Sequence, residues 1–509
     1  MKSVILLNGS SLTIEEIVRV ARGGASVDIA PEAQERIRRT RAMVLAMAED
    51  RTMPRIYGFN TGVGMNKDWD ISSEGLAAFN AMLIRSHSAA AGPELDEAEV
   101  RATLLVRLNC LLADGTGVSW ELVERYRDFL NLRLHPVIPG RGSIGEADLV
   151  SLAHVGLAVM GEGDVTLNGE RMEARRALSE TGLEPLALGC KEGLAVVSSN
   201  AMSAGMAALV LDECESLMDA ADLLYALALE GYGGNVSPLD PACFSRRPVP
   251  GPATTAARVR RYLEGSFLWK GGVAATMQDP LCFRSACHVH GAVRDALAYL
   301  RPQLLLHVNS TDDNPCVIAD ERRFAHNSNF EVTSWVLGFE MLGLALSHLA
   351  RNICYQVIKL DSPAFSRLPR FLSPDGTSVM AYTTNQKTFS SLEAEIRHLS
   401  NPVSADYMAL SGEVEDHASN APLVVRKTAK IIDNLRYMLG MEAYHAAQAV
   451  DLRRSAPLGT ATAKAYEAVR SVIPFLDQDR VISADIRTGY DLMASGRFAD
   501  IARAHAPVV

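Results

Sequence analysis

A chain of 509 residues is longer than one hydrophobic core usually grows, so two or three packed subregions are expected. Its 60 acidic against 50 basic residues leave a net charge of -10 with no basic block, which argues against nucleic acid as a partner. The eight cysteines are scattered without a C-x-x-C pair, a pattern that suggests reduced thiols in a cytoplasmic protein.

From the N-terminus, Val4–Leu7 reads as a strand; the apolar run is too short for a secretory signal and no cleavage site follows, so export is not indicated. Thr13 and Glu16 form a capping box, after which Ile14, Ile17, Val18 and Ala21 repeat at one-face helical spacing. Helical patterning continues over roughly 72–112, 120–134 and 146–160. Between the last of these and residue 197 lies a hairpin signal, Asp164 to Met172, whose Asn168-Gly169 favours a type I′ turn. Long Ala/Leu/Met-rich helices are expected near 198–231, 281–306, 329–359, 378–400 and 420–453. Val336 to Leu349, read as the most apolar long stretch, is interrupted by Glu340 and His348 and is too short to span a membrane. The expected organisation is an N-terminal region 1–197 with short strands and loops, a central helical bundle 198–455, and a C-terminal helical cap 456–509.

Two constellations are set aside. Gly140-Arg141-Gly142-Ser143-Ile144-Gly145 spells G-x-G-x-x-G, yet no clean buried strand precedes it and no alternating βα pattern surrounds it. Cys282, Cys287, His288 and His290 cluster as if for metal, but positions 282 and 287 point about 140° apart on a helix, and no metal site is expected.

The segment Gly142-Ser143-Ile144-Gly145-Glu146-Ala147-Asp148-Leu149-Val150-Ser151-Leu152-Ala153-His154 resembles Gly-Ser-Val-Gly-Ala-Ser-Gly-Asp-Leu-x-Pro-Leu-Ala-His of the histidine and aromatic amino-acid ammonia-lyases. Further matches follow in family order: Tyr57 to Gly64 with Asn60, then Ser86-His87, Gln278-Asp279-Pro280 with Arg284, Asn309 to Pro315, Asn329-Phe330, and Glu415-Asp416-His417. Together they extend over essentially the whole chain. The resemblance implies a mainly α protein of the ammonia-lyase (fumarase/aspartase-like) fold, with a long central bundle and a smaller N-terminal region.

The departures lie in one place. In the family, Ala-Ser-Gly cyclises to methylidene-imidazolone (MIO), an electrophile that captures the substrate amine; here Glu146-Ala147 stands in its place, one residue short and without the serine or glycine. The asparagine that supports the ring falls on Ser198, with Asn200 nearby but out of register, and the tyrosine of Gln-Asp-Pro-Tyr is Leu281. The groups lost belong to the electrophile, whereas the residues matching the proton-abstracting base, Tyr57, and the carboxylate-binding arginine, Arg284, are kept. The resemblance therefore implies elimination without MIO and without any other cofactor.

A quaternary trimethylammonium has no lone pair to donate to an electrophile and leaves as a neutral amine, so an α-trimethylammonio acid, a betaine, is the expected substrate. In this respect the chain is similar to the ergothionase subgroup, which splits ergothioneine into thiolurocanate and trimethylamine. The implied roles are Tyr57 as base, with its pKa lowered by nearby cations, and Arg284 on the carboxylate. Lys387 is expected to face negative charge on the thioimidazole, and Glu415 to accept a ring N–H. Glu146 and Asp148 are expected to attract the trimethylammonium, with cation–π contact from Phe330, Phe59 or Tyr57. Asn60, His87, Gln278 and Ser198 complete the expected substrate-binding set. The alternatives are a lyase acting on another betaine or a histidine-like amino acid, and a non-catalytic homologue serving as a binding module. The family's homotetramers build each active site from three chains, so residues near 57, 284 and 415 are expected from different subunits. No membrane partner is expected.

Overall fold

Thr13 opens the first helix, Ile14–Ala21: its side chain accepts from the Glu16 amide while the Glu16 carboxylate accepts from the Thr13 amide, the reciprocal pair expected of a capping box. The buried face is Ile14, Ile17, Val20 and Ala21, so Val20 rather than Val18 completes the stripe. The computed structural model describes residues 4–50, 52–72, 75–270, 274, 276–374, 378–454 and 456–506. Ser455, at the expected second boundary, and residues 507–509 of the expected cap lie outside them.

The expected continuous helix over 72–112 is broken. Leu76–His87 and Glu97–Leu112 are separate helices, with strand Ala91–Glu94 between them. Gly92 takes φ +82°, Pro93 has no amide to donate, and Asp96 with Glu99 builds a second capping box that restarts the helix. The other expected helices are Trp120–Asn131, Leu149–Val159, Ala201–Tyr232, Ala286–Val308, Thr333–Leu360, Asn385–Leu399 and Ala421–Arg453. Among the described residues, the stretch that is long and apolar enough to cross a membrane is Glu192–Tyr232 rather than Val336–Leu349, and its apolar window is wholly buried, as in the core helix of a folded protein.

Ile5–Leu7 pairs in parallel with Val27–Ile29. The hairpin Asp164–Leu167 and Glu170–Glu173 forms as expected, Asn168 and Gly169 both taking positive φ (52° and 87°), and Leu134–Pro136 adds a third strand. Pro139–Arg141 pairs with Ala91–Glu94, so the G-x-G-x-x-G stretch begins in a two-stranded ribbon and not in a βαβ unit. Cys316–Ile318 pairs with Arg323–Ala325.

The chain forms two compact units, each discontinuous in sequence. The first comprises Met1–Asp212, Leu300–Leu337 and Pro402–Val425, and carries all of these strands. The second comprises Glu213–Tyr299, Gly338–Asn401 and Arg426–Val509 and is helical.

Candidate active site

The helix Glu97–Leu112 is buried along nearly its whole length, and this places Arg107 in the interior of the first unit with no exposed side-chain surface. A lone buried guanidinium would be prohibitive, so its partners are informative. Arg107 Nη1 donates to Asp312 at 2.9 Å, and Nη2 donates to the Ala195 carbonyl. Burial works against the Arg107 charge, but Asp312 and Asp313 outweigh it and hold its pKa above the ordinary value. Asp312 also accepts from Ser199 Oγ at 2.6 Å and from the Asn200 amide at 3.0 Å, while Asp313 pairs with buried Lys191.

This cluster fixes residues 195–200, which in turn hold the loop that precedes Leu149. Asn200 Nδ2 donates to the Gly145 carbonyl at 2.8 Å, and Ser419 Oγ donates to the same oxygen at 3.2 Å. The Asp148 amide donates to the Ser199 carbonyl at 2.6 Å. Gly145, at φ +91°, admits no side chain, since a Cβ would stand 2.3 Å from Ser419 Oγ. Ala147 takes φ +60°, a left-handed conformation that costs a non-glycine residue about 1–2 kcal/mol. The loop is thus held at both ends with Glu146 between them.

Glu146 is half-buried and its Oε1 has no hydrogen-bond partner among the described residues. Burial, then the neighbouring Glu331, push its carboxyl pKa up to about 8. Glu146, Glu331 and His417 bring one ligand atom each to within 4.8 Å of one another, and His417 Nε2 lies 3.5 Å from Glu331 Oε1. Asp148 does not share this setting. It is fully buried and accepts from Ser143 Oγ (2.7 Å), Ser203 Oγ (2.7 Å) and the Ser203 amide (2.8 Å), so it is a structural carboxylate and not a cation-facing one.

The residues here do not fit an MIO ring. Ring closure needs a serine between two small residues to lose water and a following amide nitrogen to attack. The only serine at this loop, Ser143, donates to Asp148, and the Asp148 amide is committed to Ser199.

Tyr57 and Glu415 line one cavity of about 640 Å³ in the first unit, together with His87, Met65, Trp69, Phe79, Leu149 and Leu194 among others. Tyr57 and Glu415 therefore belong to the same chain's cavity and do not require separate subunits. The Tyr57 hydroxyl accepts from the Gly64 amide at 2.9 Å, and its own amide donates to His326 Nε2 at 3.3 Å. The expected fall in its pKa is not present in this environment: burial, and to a lesser degree the Glu415 charge, raise it against the Gly64 hydrogen bond. His87 Nδ1 lies 2.8 Å from the Leu83 carbonyl; a carbonyl only accepts, so Nδ1 carries the proton and Nε2 of the neutral ring is left as an acceptor.

Asn60 is used by its own loop, accepting from the Ile56 amide at 2.7 Å and donating to the Pro54 carbonyl at 3.0 Å. Phe59 is a core residue packed on Phe324 at 4.7 Å, which removes it as a cation–π partner. Phe330 is half-buried and is not among the residues lining the Tyr57 cavity. Ser198 is buried, its amide closing the short helix Glu192–Val197 on the Leu194 carbonyl, and Asn200 makes the contact to the 143–148 loop.

In the second unit, Gln278 and Arg284 are hydrogen-bonded to each other and line a separate cavity of about 680 Å³ with Asn235, Arg247 and His288. Lys387 is exposed in the first turn of Asn385–Leu399. His290 bonds Asp222 at 2.9 Å, and among the described residues Cys282, Cys287, His288 and His290 form no metal-ligand group. Sequence reasoning missed Glu331, His326, Asn200 and Ser419 as site neighbours. Only Asn200 carried a signal, its position two residues from the expected asparagine.

The model of the aromatic amino acid lyase family matches residues 12–471. The chain is 37% identical over 494 residues to a histidine ammonia-lyase from Myxococcus xanthus, covering 97% of each chain. It is 33% identical over 499 residues to a histidine ammonia-lyase from Treponema denticola, covering 98% of each. Among solved structures it resembles ergothionase from Treponema denticola, an ergothioneine-degrading enzyme in complex with desmethyl-ergothioneine sulfonic acid, with a TM-score of 0.94 and 44% identity over 97% of this chain and 99% of that one.

Arg107→Met is expected to destabilise the protein by about 3–5 kcal/mol, because it leaves Asp312 buried without its cation. The double variant Arg107→Met/Asp312→Leu should recover part of that loss. Urea unfolding midpoints measure both, and a single-variant cost under about 1 kcal/mol would show that the pair does not anchor the loop.

Proposed function

Since this chain belongs to the aromatic amino acid lyase family, we propose that it is a carbon–nitrogen lyase that removes trimethylamine from ergothioneine to give thiolurocanate, with no MIO group. The observation that carries this reading is the 143–148 loop: a rigidly held carboxyl, Glu146, paired with Glu331, stands where relatives with the Ala-Ser-Gly triad form their electrophile. Such a site suits a cation that cannot form a covalent adduct. The comparison within one organism supports the same reading, since identity to the Treponema denticola ergothionase is 44% and to the histidine ammonia-lyase of that organism 33%.

In this mechanism Tyr57 as phenolate removes the β-proton. The C–H electron pair becomes the Cα–Cβ double bond, and the Cα–N pair leaves with neutral trimethylamine. Burial raises the Tyr57 pKa, so its ionisation depends on positive charge arriving with the substrate and with Arg284. Glu415 accepts a ring N–H, and His87 faces the same cavity. Arg284 with Gln278 binds the carboxylate, and Lys387 stabilises charge on the thioimidazole; both are contributed by neighbouring copies in a homotetramer. Phe330 packs against the bound cation. The relatives' name favours one second reading, free histidine as substrate, which here would have to lose ammonia without an electrophile.

The direct test is product formation from ergothioneine, its sulfur-free analogue hercynine, and histidine. Trimethylamine from ergothioneine with no ammonia from histidine is the expected result; ammonia from histidine would overturn the leaving-group argument. Tyr57→Phe should lower kcat by about 10²–10⁴-fold, the range of a general base, with little change in KM.

Glu146 adds a pH signature. Its carboxyl pKa is raised to about 8, and only the ionised form attracts the substrate cation. KM should therefore fall as pH rises through about 8, and binding below that pH should release a proton. Glu146→Gln should flatten the KM profile, and an unchanged profile would remove Glu146 from substrate binding.

A further inference from the structure

The second unit buries an aspartate and a histidine against each other, neither of them used in the proposed mechanism. Asp361 follows the helix Thr333–Leu360 and is 2% exposed; His445, within Ala421–Arg453, is fully buried. Asp361 Oδ1 and His445 Nε2 are 3.7 Å apart, and neither has a hydrogen-bond partner among the described residues. His445 Nδ1 lies 2.8 Å from the Met441 carbonyl, so that nitrogen carries the ring proton and Nε2 presents a lone pair. Two facing lone-pair atoms in a buried setting repel each other. A single proton on either atom replaces that repulsion with attraction.

The surroundings enforce this. Tyr382 and Tyr444 lie against the imidazole at ring separations of 4.4 and 4.9 Å, and Phe389 meets it edge-on at 6.0 Å. The other titratable groups bearing on the cluster from its packed elements are Tyr382, Tyr444, Asp485, Arg470 and Arg480. The cluster also holds a helix terminus. Asp361 Oδ2 accepts from Gln386 Nε2 at 3.1 Å, and the Tyr444 hydroxyl accepts from Asn385 Nδ2 at 2.8 Å. Thr384, the N-cap of Asn385–Leu399, makes no side-chain cap bond, so the first two helical residues are tied down by this cluster and the third is Lys387.

We infer that Asp361 and His445 form a buried dyad that holds one proton and, through Gln386, positions the helix turn that carries Lys387. The role of Lys387 rests on the proposed function; the dyad itself does not. Asp361 and His445 are thus positioning residues.

Proton linkage tests the dyad directly. Burial raises the Asp361 pKa to about 7 from 3.8 and lowers that of His445 to about 4 from 6.5. Unfolded, the two residues together hold one proton between about pH 4 and 6.5, on the histidine; folded, they also hold one, on the aspartate. The pair therefore contributes almost no pH dependence to wild-type stability in that window, and removing either member unmasks the other.

In Asp361→Asn the histidine titrates alone. The unfolded state binds more protons, so stability relative to wild type rises with pH between about 4 and 6.5. In His445→Gln the aspartate titrates alone. The folded state binds more, so relative stability falls as pH rises from about 4 to about 7. Each slope should approach a tenfold change in the unfolding constant per pH unit, and the two should have opposite signs. Slopes of the same sign, or none, overturn the dyad; His445→Asn replaces His445→Gln if that variant does not fold.

The positioning claim is read in turnover of ergothioneine. Asp361→Asn keeps an acceptor for Gln386 and should retain kcat, whereas Asp361→Ala should lower kcat at least about tenfold with KM little changed. Equal activity of the two variants would overturn it. A wild-type enzyme inactive on betaines would overturn the proposed function, while the linkage slopes would still decide the dyad.

Discussion

The candidate site depends on Asp312. One carboxylate, fully removed from water, takes Arg107 on one oxygen and Ser199 with the Asn200 amide on the other. Burying a carboxylate and a guanidinium costs several kcal/mol each in desolvation, which is offset here by the ion pair and by donors to both oxygens of Asp312. The second pair, Lys191 with Asp313, balances the first. What this arrangement provides is position. Residues 195–200 are held by charge-assisted bonds, and from them Asn200 and Ser199 hold both ends of the 143–148 loop. A loop with two left-handed residues, Gly145 and Ala147, stays in one conformation because its surroundings over-determine it.

That rigidity persists although the triad is absent. A scaffold relieved of its chemical role is expected to lose its supporting contacts as substitutions accumulate. Here Asn200 and Ser199 hold the loop, and a carboxyl stands where the triad would be. The carboxyl lies beside Glu331 and keeps an unpartnered oxygen, an arrangement that costs stability unless something positively charged visits it. A costly feature held in place by an elaborate scaffold is more readily explained by use than by decay.

The architecture was largely legible in the residues. Most long helices announce themselves by periodicity, although Pro31–Glu49 was missed, and Thr13-x-x-Glu16 and Asn168-Gly169 specify their local geometry through backbone groups only a few positions away. Of the short strands outside the hairpin only Ile5–Leu7 was legible, as part of Val4–Leu7; the others carry too few positions for a period, and pairs such as Ala91–Glu94 with Pro139–Arg141 are decided by tertiary packing. Similarly, the run from 72 to 112 looked continuous because helix-forming residues flank Gly92-Pro93 on both sides. Family motifs brought Tyr57, His87 and Glu415 to one cavity, but motif order carries no information about which oxygen is already occupied. Asp148 looked as available as Glu146 until three donors were found on it, and Asn60 until its loop consumed it. Glu331 joins Glu146 across 185 positions, a contact that only the fold creates.

On the proposed reading, the same carboxyl pair also discriminates between substrates. A primary ammonium offers N–H donors, and an ionised Glu146 would grip them with short charge-assisted bonds made in the ground state. Those bonds would have to break as ammonia departs, so they would deepen the barrier instead of lowering it. A trimethylammonium offers no N–H. Its charge is spread over methyl hydrogens, it is attracted without being hydrogen-bonded, and the attraction fades gradually as the C–N bond lengthens. The raised pKa works in the same direction, because a carboxyl that is readily protonated near neutrality can return to its neutral form once the cation has become an amine. A site built this way needs no electrophile for a leaving group that is already charged, and it gives little help to one that is not.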